Sequence, residues 1–87
     1  MKFEYKDKGS KLIRLDIDWE NGRIKKINIY GDFFLHPEES IFKLEKNLEG
    51  KDIYFAKKVI DEFFKSVEYA GIDPESLYKA IKESMVK

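Results

Sequence analysis

The sequence predicts an α+β domain: a three-stranded antiparallel sheet followed by three helices. Three observations carry that prediction. Apolar and polar side chains alternate on either side of Asn21-Gly22, which is the pattern of a hairpin. Beyond Pro37, apolar residues recur at three- and four-residue spacing, the pattern of amphipathic helices. The strand-like segments come first and the helix-like ones after, with no repeat, linker or low-complexity stretch between them, so residues 1–87 read as one domain with the helices layered on one face of the sheet.

Phe3 and Tyr5 alternate with charged neighbours and form a short first strand. Lys8-Gly9-Ser10 is a turn. From Leu12 to Trp19, Ile13, Leu15, Ile17 and Trp19 share one face, while Arg14, Asp16 and Asp18 take the other, as in a half-buried strand. Asn21 and Gly22 both tolerate positive φ and suit a type I′ turn. The returning strand covers Arg23 to Asp32. Ile27 and Ile29 share a face, but Ile24 is out of phase by one. Either a bulge near Lys25-Lys26 absorbs a residue, or Ile24 packs under the turn.

Pro37 fits the first turn of a helix, where its missing N–H costs nothing, and Glu38 and Glu39 suit the positive end of the helix dipole. Ile41, Leu44 and Leu48 share a face flanked by Phe42, and Gly50 stops the helix. A second helix covers Tyr54 to Tyr69, capped by Asp52 and ended by Gly71, with an apolar stripe from Ala56 through Val59, Ile60, Phe63 and Phe64 to Val67. Asp73-Pro74-Glu75 starts a third helix with cap, proline and acid in the favoured order. Leu77, Ala80, Ile81 and Met85 are its expected buried face.

Composition narrows the function. Seventeen basic and seventeen acidic side chains cancel, so neither a nucleic acid nor a membrane surface is an expected partner. The chain has no cysteine, which excludes disulfides, thiolate metal sites, iron–sulfur ligation and cysteine nucleophiles. No apolar run approaches a membrane span, and the alternation of charges and aromatics in Met1–Lys6 is unlike a signal peptide, so a cytoplasmic location is expected. Threonine and glutamine are absent while lysine and glutamate abound, a bias that resembles hyperthermophile proteins.

Catalytic chemistry finds little purchase. The single histidine, His36, with Glu38 and Glu39 nearby is not a metal ligand set, and those acids suit a helix start. Ser10, Ser40, Ser66, Ser76 and Ser84 have one histidine between them, which makes a serine triad a poor reading. Lys8-Gly9-Ser10-Lys11 lacks the upstream glycine of a phosphate loop, and a strand follows it instead of a helix. Asp16 and Asp18 could in principle do acid–base work, although a solvated strand face explains them more simply. Phe42, Phe63, Phe64, Tyr69 and Tyr78 could line a pocket, but at helical spacing they suit a core.

The most informative stretch is Gly31-Asp32-Phe33-Phe34, running into Leu35-His36-Pro37-Glu38-Glu39. Two large aromatics follow a glycine and an acid where a strand ends. They either fill the domain's own core or are covered by a partner. Consecutive side chains of an extended chain point opposite ways, so both can hold.

The order of these parts resembles the accessory domain of lipoate–protein ligases. The resemblance rests on Gly9-Ser10-Lys11-Leu12-Ile13-Arg14, Asn21-Gly22-Arg23-Ile24, Ile29 through Glu39, Leu44-Glu45 with Leu48 and Gly50, and Ile72-Asp73-Pro74-Glu75. Nearly the whole chain is covered. Ser10 departs from the family pattern, which often has a second glycine there.

The resemblance implies a non-catalytic accessory subunit, required with a separate catalytic subunit for ATP-dependent lipoate activation in protein lipoylation. In this family the catalytic subunit handles lipoate, ATP and Mg, so this chain binds no cofactor alone. Its partners would be that catalytic subunit, in a heterodimer, and indirectly the lipoyl-acceptor domains. Gly31, Asp32, Phe33, Phe34, His36 and Pro37 are the candidates for contact or loop positioning, with Lys11 and Arg14 beside them. Relatives also resemble the fold of iron–sulfur scaffold proteins, a role that needs cysteine. Two other readings stand against the resemblance: a free-standing ligand-binding or regulatory module of the same fold, and an enzyme using Asp16, Asp18 or His36.

Overall fold

A computed structural model describes residues 1–6 and 12–86. The expected Lys8-Gly9-Ser10 turn and the candidate Lys11 lie outside the described residues. Strands β1 (Lys2–Tyr5), β2 (Ile13–Glu20) and β3 (Arg23–Gly31) form an antiparallel sheet in the order β1-β2-β3. Glu20 pairs with Arg23 across the two-residue turn, and Asn21 and Gly22 take φ of 52° and 75°, as the Asn-Gly pair predicts.

The phase error at Ile24 has a physical resolution. Asp18 pairs with Lys26 and Trp19 with Ile24, leaving Lys25 as the extra residue of a bulge. That bulge returns Ile24 to the face it shares with Ile27 and Ile29, where it is fully buried. Without it, strict alternation would turn Ile24 to solvent and forfeit about 1.5–3 kcal/mol of burial.

Helices α1 (Ser40–Leu48), α2 (Ile53–Phe63) and α3 (Pro74–Ser84) complete the fold. α1 packs on β3 and α3 on β2, while α2 lies against both α1 and α3. Ile13, Leu15 and Ile17 from the sheet meet Leu44, Leu48, Ile60, Leu77 and Ile81 in one core. Asp52 caps α2 by accepting from the Phe55 amide at 3.0 Å. Asp73 and Ser76 exchange side-chain-to-backbone hydrogen bonds at the start of α3, with Pro74 just inside.

Four details depart from the sequence expectations. The middle helix stops at Phe63, and Glu68–Ala70 forms a strand, β5, which pairs antiparallel with β4 (Phe34–His36) in a second, two-stranded sheet. Chain reversal is favoured there because it sets the Tyr69 ring edge-on to Phe64 at 4.8 Å, a contact that a continued helix could not make alongside the β4 pairing. Pro37, Glu38 and Glu39 form a turn before α1 rather than its first turn, closed by the Ser40 amide on the Pro37 carbonyl at 3.1 Å; the His36–Pro37 bond is cis. Met85 is exposed, since α3 ends at Ser84. The buried position is taken by Ser84, whose hydroxyl donates to the Ile81 carbonyl and accepts from the Trp19 indole at 3.1 Å.

The outer edge of β3 is partly closed. The Glu45 carboxylate on α1 accepts from the Ile29 amide at 2.7 Å, and the α1–α2 connection bonds Ile24 through Gly50 N and Lys51 O. Unpaired strand edges invite pairing with other chains, and these contacts block it at Ile24 and Ile29. No helix, among the described residues, is long and apolar enough to cross a membrane.

Candidate functional site

β3 ends where a side chain no longer fits. A Cβ on Gly31, whose φ is +156°, would fall against the Leu12 carbonyl oxygen and within 3.0 Å of the Phe33 ring. The missing side chain therefore lets the chain leave the sheet beside the start of β2 and bring Phe33 back over it. Phe33 is partly buried against the core. The next residue must point the other way, and Phe34 is 54% exposed. Leu35 turns inward again and is buried, its register partner being Tyr69.

Phe34 stands between two open grooves. One, of about 870 Å³, is bounded by Lys6, Leu12, Asp32 and Phe33 on one side and by Ala70 and Gly71 on the other. The second, of about 370 Å³, runs past Tyr30 and Gly31 to Glu38 and Ile41. Tyr30 is as exposed as Phe34. Two aromatic rings thus face solvent at one corner, flanked by concave surface and carrying Asp32 and Glu38 at the margins. Such a surface can bury rings against a protein partner.

The remaining candidates distribute unevenly. Asp32, Phe33 and Phe34 line the first groove, and Gly31, Phe33 and Phe34 the second. Arg14 pairs across the sheet with Tyr30 and holds Glu4 at 3.2 Å, so it borders the corner on the outer sheet face. His36, the last residue of β4, and Pro37 just after it are exposed and line neither groove. Residue-level reading missed Tyr30, Ile41, Ala70 and Gly71. Tyr30 carried a signal, being an aromatic on the polar phase of its strand; Ala70 and Gly71 enter only because β5 folds back.

Asp16 and Asp18 have another occupation. The N-terminal amine lies 2.8 Å from Asp18 and 3.5 Å from Asp16. Its hydrogen bond holds the Asp18 carboxyl below the ordinary carboxylate range, and the same bond raises the amine. Held by the amine, Asp18 is a poor proton acceptor, so acid–base work there gains no support. Among the described residues no cluster of His, Asp or Glu could hold a metal ion. Ser66, Ser76 and Ser84 spend their hydroxyls on backbone carbonyls of their own helices or turns.

Comparison with known proteins covers most of the chain. Residues 4–82 match the family model described as bacterial lipoate protein ligase C-terminus. Over 72 residues the chain is 40% identical to lipoate-protein ligase A subunit 2 of Thermoplasma acidophilum, covering 82% of this chain and 77% of that protein. It also superimposes, with a TM-score of 0.81 and 38% identity, on a chain from the structure of an archaeal lipoylation system of the same organism, a bi-partite lipoate protein ligase and its E2 lipoyl domain. That match covers 92% of this chain and 91% of the other.

Proposed function

Since the chain belongs to the bacterial lipoate protein ligase C-terminus family, we propose that it is the non-catalytic accessory subunit of a two-component lipoate–protein ligase. The Thermoplasma relative is the second subunit of such an enzyme, which supports a separate catalytic partner here. In this reading the partner binds lipoate, ATP and Mg and forms lipoyl-adenylate. The lipoyl carbonyl then passes to a lysine of an acceptor domain, forming an amide bond as AMP leaves.

The contribution of this chain is to complete the partner's active site. One observation carries it: at the Gly31–Phe34 corner, Phe33 packs, partly buried, against the core while Phe34 is held outward between two grooves. A ring fixed by its neighbour needs no reordering to bind, so its burial goes into the complex. Docking there would order the partner's loops around lipoate and ATP. Gly31 and Asp32 set the exit of the strand, and Phe34, with Tyr30 beside it, makes the contact.

Purified chain mixed with a catalytic subunit, assayed for lipoate-dependent pyrophosphate release, tests the proposal. Activation is expected only with both present. A catalytic subunit that is fully active by itself would sink it.

A further inference from the structure

A second surface, separated from the aromatic corner by α1, has a different chemistry. The groove between α1 and α2, about 530 Å³ in volume, is lined by Lys43, Lys51 and Lys58 above an apolar floor of Val59 and Phe63. By contrast, Lys46, Lys57 and Lys79 on the helices, and Lys65 just past α2, each hold a carboxylate within 4 Å. The three groove lysines form no ion pair among the described residues. Glu62, the acid at the rim, is engaged by Lys65 at 3.2 Å. A chain with no net charge thus sets three lysines without ion pairs along one concave strip.

We infer that this groove receives a carboxylate-rich face of the lipoyl-acceptor domain during transfer, an inference that rests on the accessory-subunit reading above. Charge complementarity selects an acidic partner, and the apolar floor selects a protein surface over a free anion, which would gain nothing from Val59 and Phe63. Kinetics select the acceptor over the catalytic subunit. An acceptor must arrive and leave at every turnover, and hydrated lysines steer fast, salt-sensitive, short-lived encounters. The exposed aromatic corner has the chemistry of a lasting subunit contact.

The test is a reconstituted ligase carrying Lys43→Glu, Lys51→Glu and Lys58→Glu together, with the corresponding glutamine triple as a second variant. Pyrophosphate release without acceptor reads activation; lipoylation of an apo lipoyl domain reads transfer. We expect activation and thermal midpoint unchanged, and the KM for the apo domain raised about tenfold by the glutamate triple and less by the glutamine one. That difference should shrink towards unity in about 0.5 M salt, where surface charges are screened. An unchanged KM would overturn the inference. So would an equal loss of activation, which would assign the groove to the catalytic subunit. Failure of the wild-type pair to activate lipoate would instead remove the ligase reading itself, and the inference with it.

Discussion

At the scale of single residues, the corner divides its two aromatics by strand geometry alone. Phe33 faces in because Gly31 admits its ring, and Phe34 faces out because it is the next residue. The two alanine substitutions should therefore behave oppositely. Phe33→Ala is expected to destabilise the fold by about 2 kcal/mol, below the 3–5 typical of a fully buried ring, as measured by denaturant unfolding. Phe34→Ala should leave that midpoint in place and weaken association with the catalytic subunit in a pull-down or calorimetric titration. A reversal of the two outcomes would exchange their roles. Gly31→Ala places a methyl against the Leu12 carbonyl and should cost about 1–3 kcal/mol, with the largest chemical-shift changes at Leu12 and Phe33.

Among the elements, α1 is tied to the sheet by one carboxylate. Glu45 lies in the helical stripe of Ile41, Leu44 and Leu48, and an acid inside an apolar stripe was the visible sign that it has a buried partner. It accepts from the Ile29 amide two residues before the corner. Glu45→Ala should leave that amide without an acceptor, cost about 1–3 kcal/mol, and speed hydrogen exchange at Ile29 above its neighbours. Glu45→Gln keeps an acceptor oxygen and should recover most of the protection. The hairpin, the phase break at Ile24 and the α3 cap were legible beforehand because each is local, while register across the sheet decided that the break is a bulge. β4 and β5 were not, for each is three residues long and each exists through the other.

Taken whole, the molecule is a one-sided sheet with three helices behind it, a charged outer face, and two exposed surfaces of different character. The N-terminal amine and Asp18 link that outer face to pH. The Asp18 carboxyl is depressed in the folded chain, so its contribution is present above the ordinary value of 3.8 and fades as pH falls through the lower folded value. The amine is raised, so its contribution is present below 8.0 and fades as pH rises through the higher folded value. A thermal midpoint measured against pH should be flat between these limits as far as this pair is concerned. Asp18→Asn should remove its acid limb and flatten the alkaline one. Both groups face solvent and are screened, so the effect is small.

The sequence by itself determined the α+β class, the hairpin, the break of phase at Ile24, most of each helix face and the family. These depend on neighbours along the chain: side-chain period, turn-forming residues, caps and motif order. Only the tertiary structure decided that Glu68–Ala70 leaves the helix, that Phe34 rather than Phe33 faces outward, and that His36 and Pro37 stand apart from both grooves. Those outcomes depend on residues far apart in sequence. A strand of three residues, or the side of a ring, is chosen by whatever lies across from it, here Tyr69 over Leu35 and the Leu12 carbonyl over Gly31.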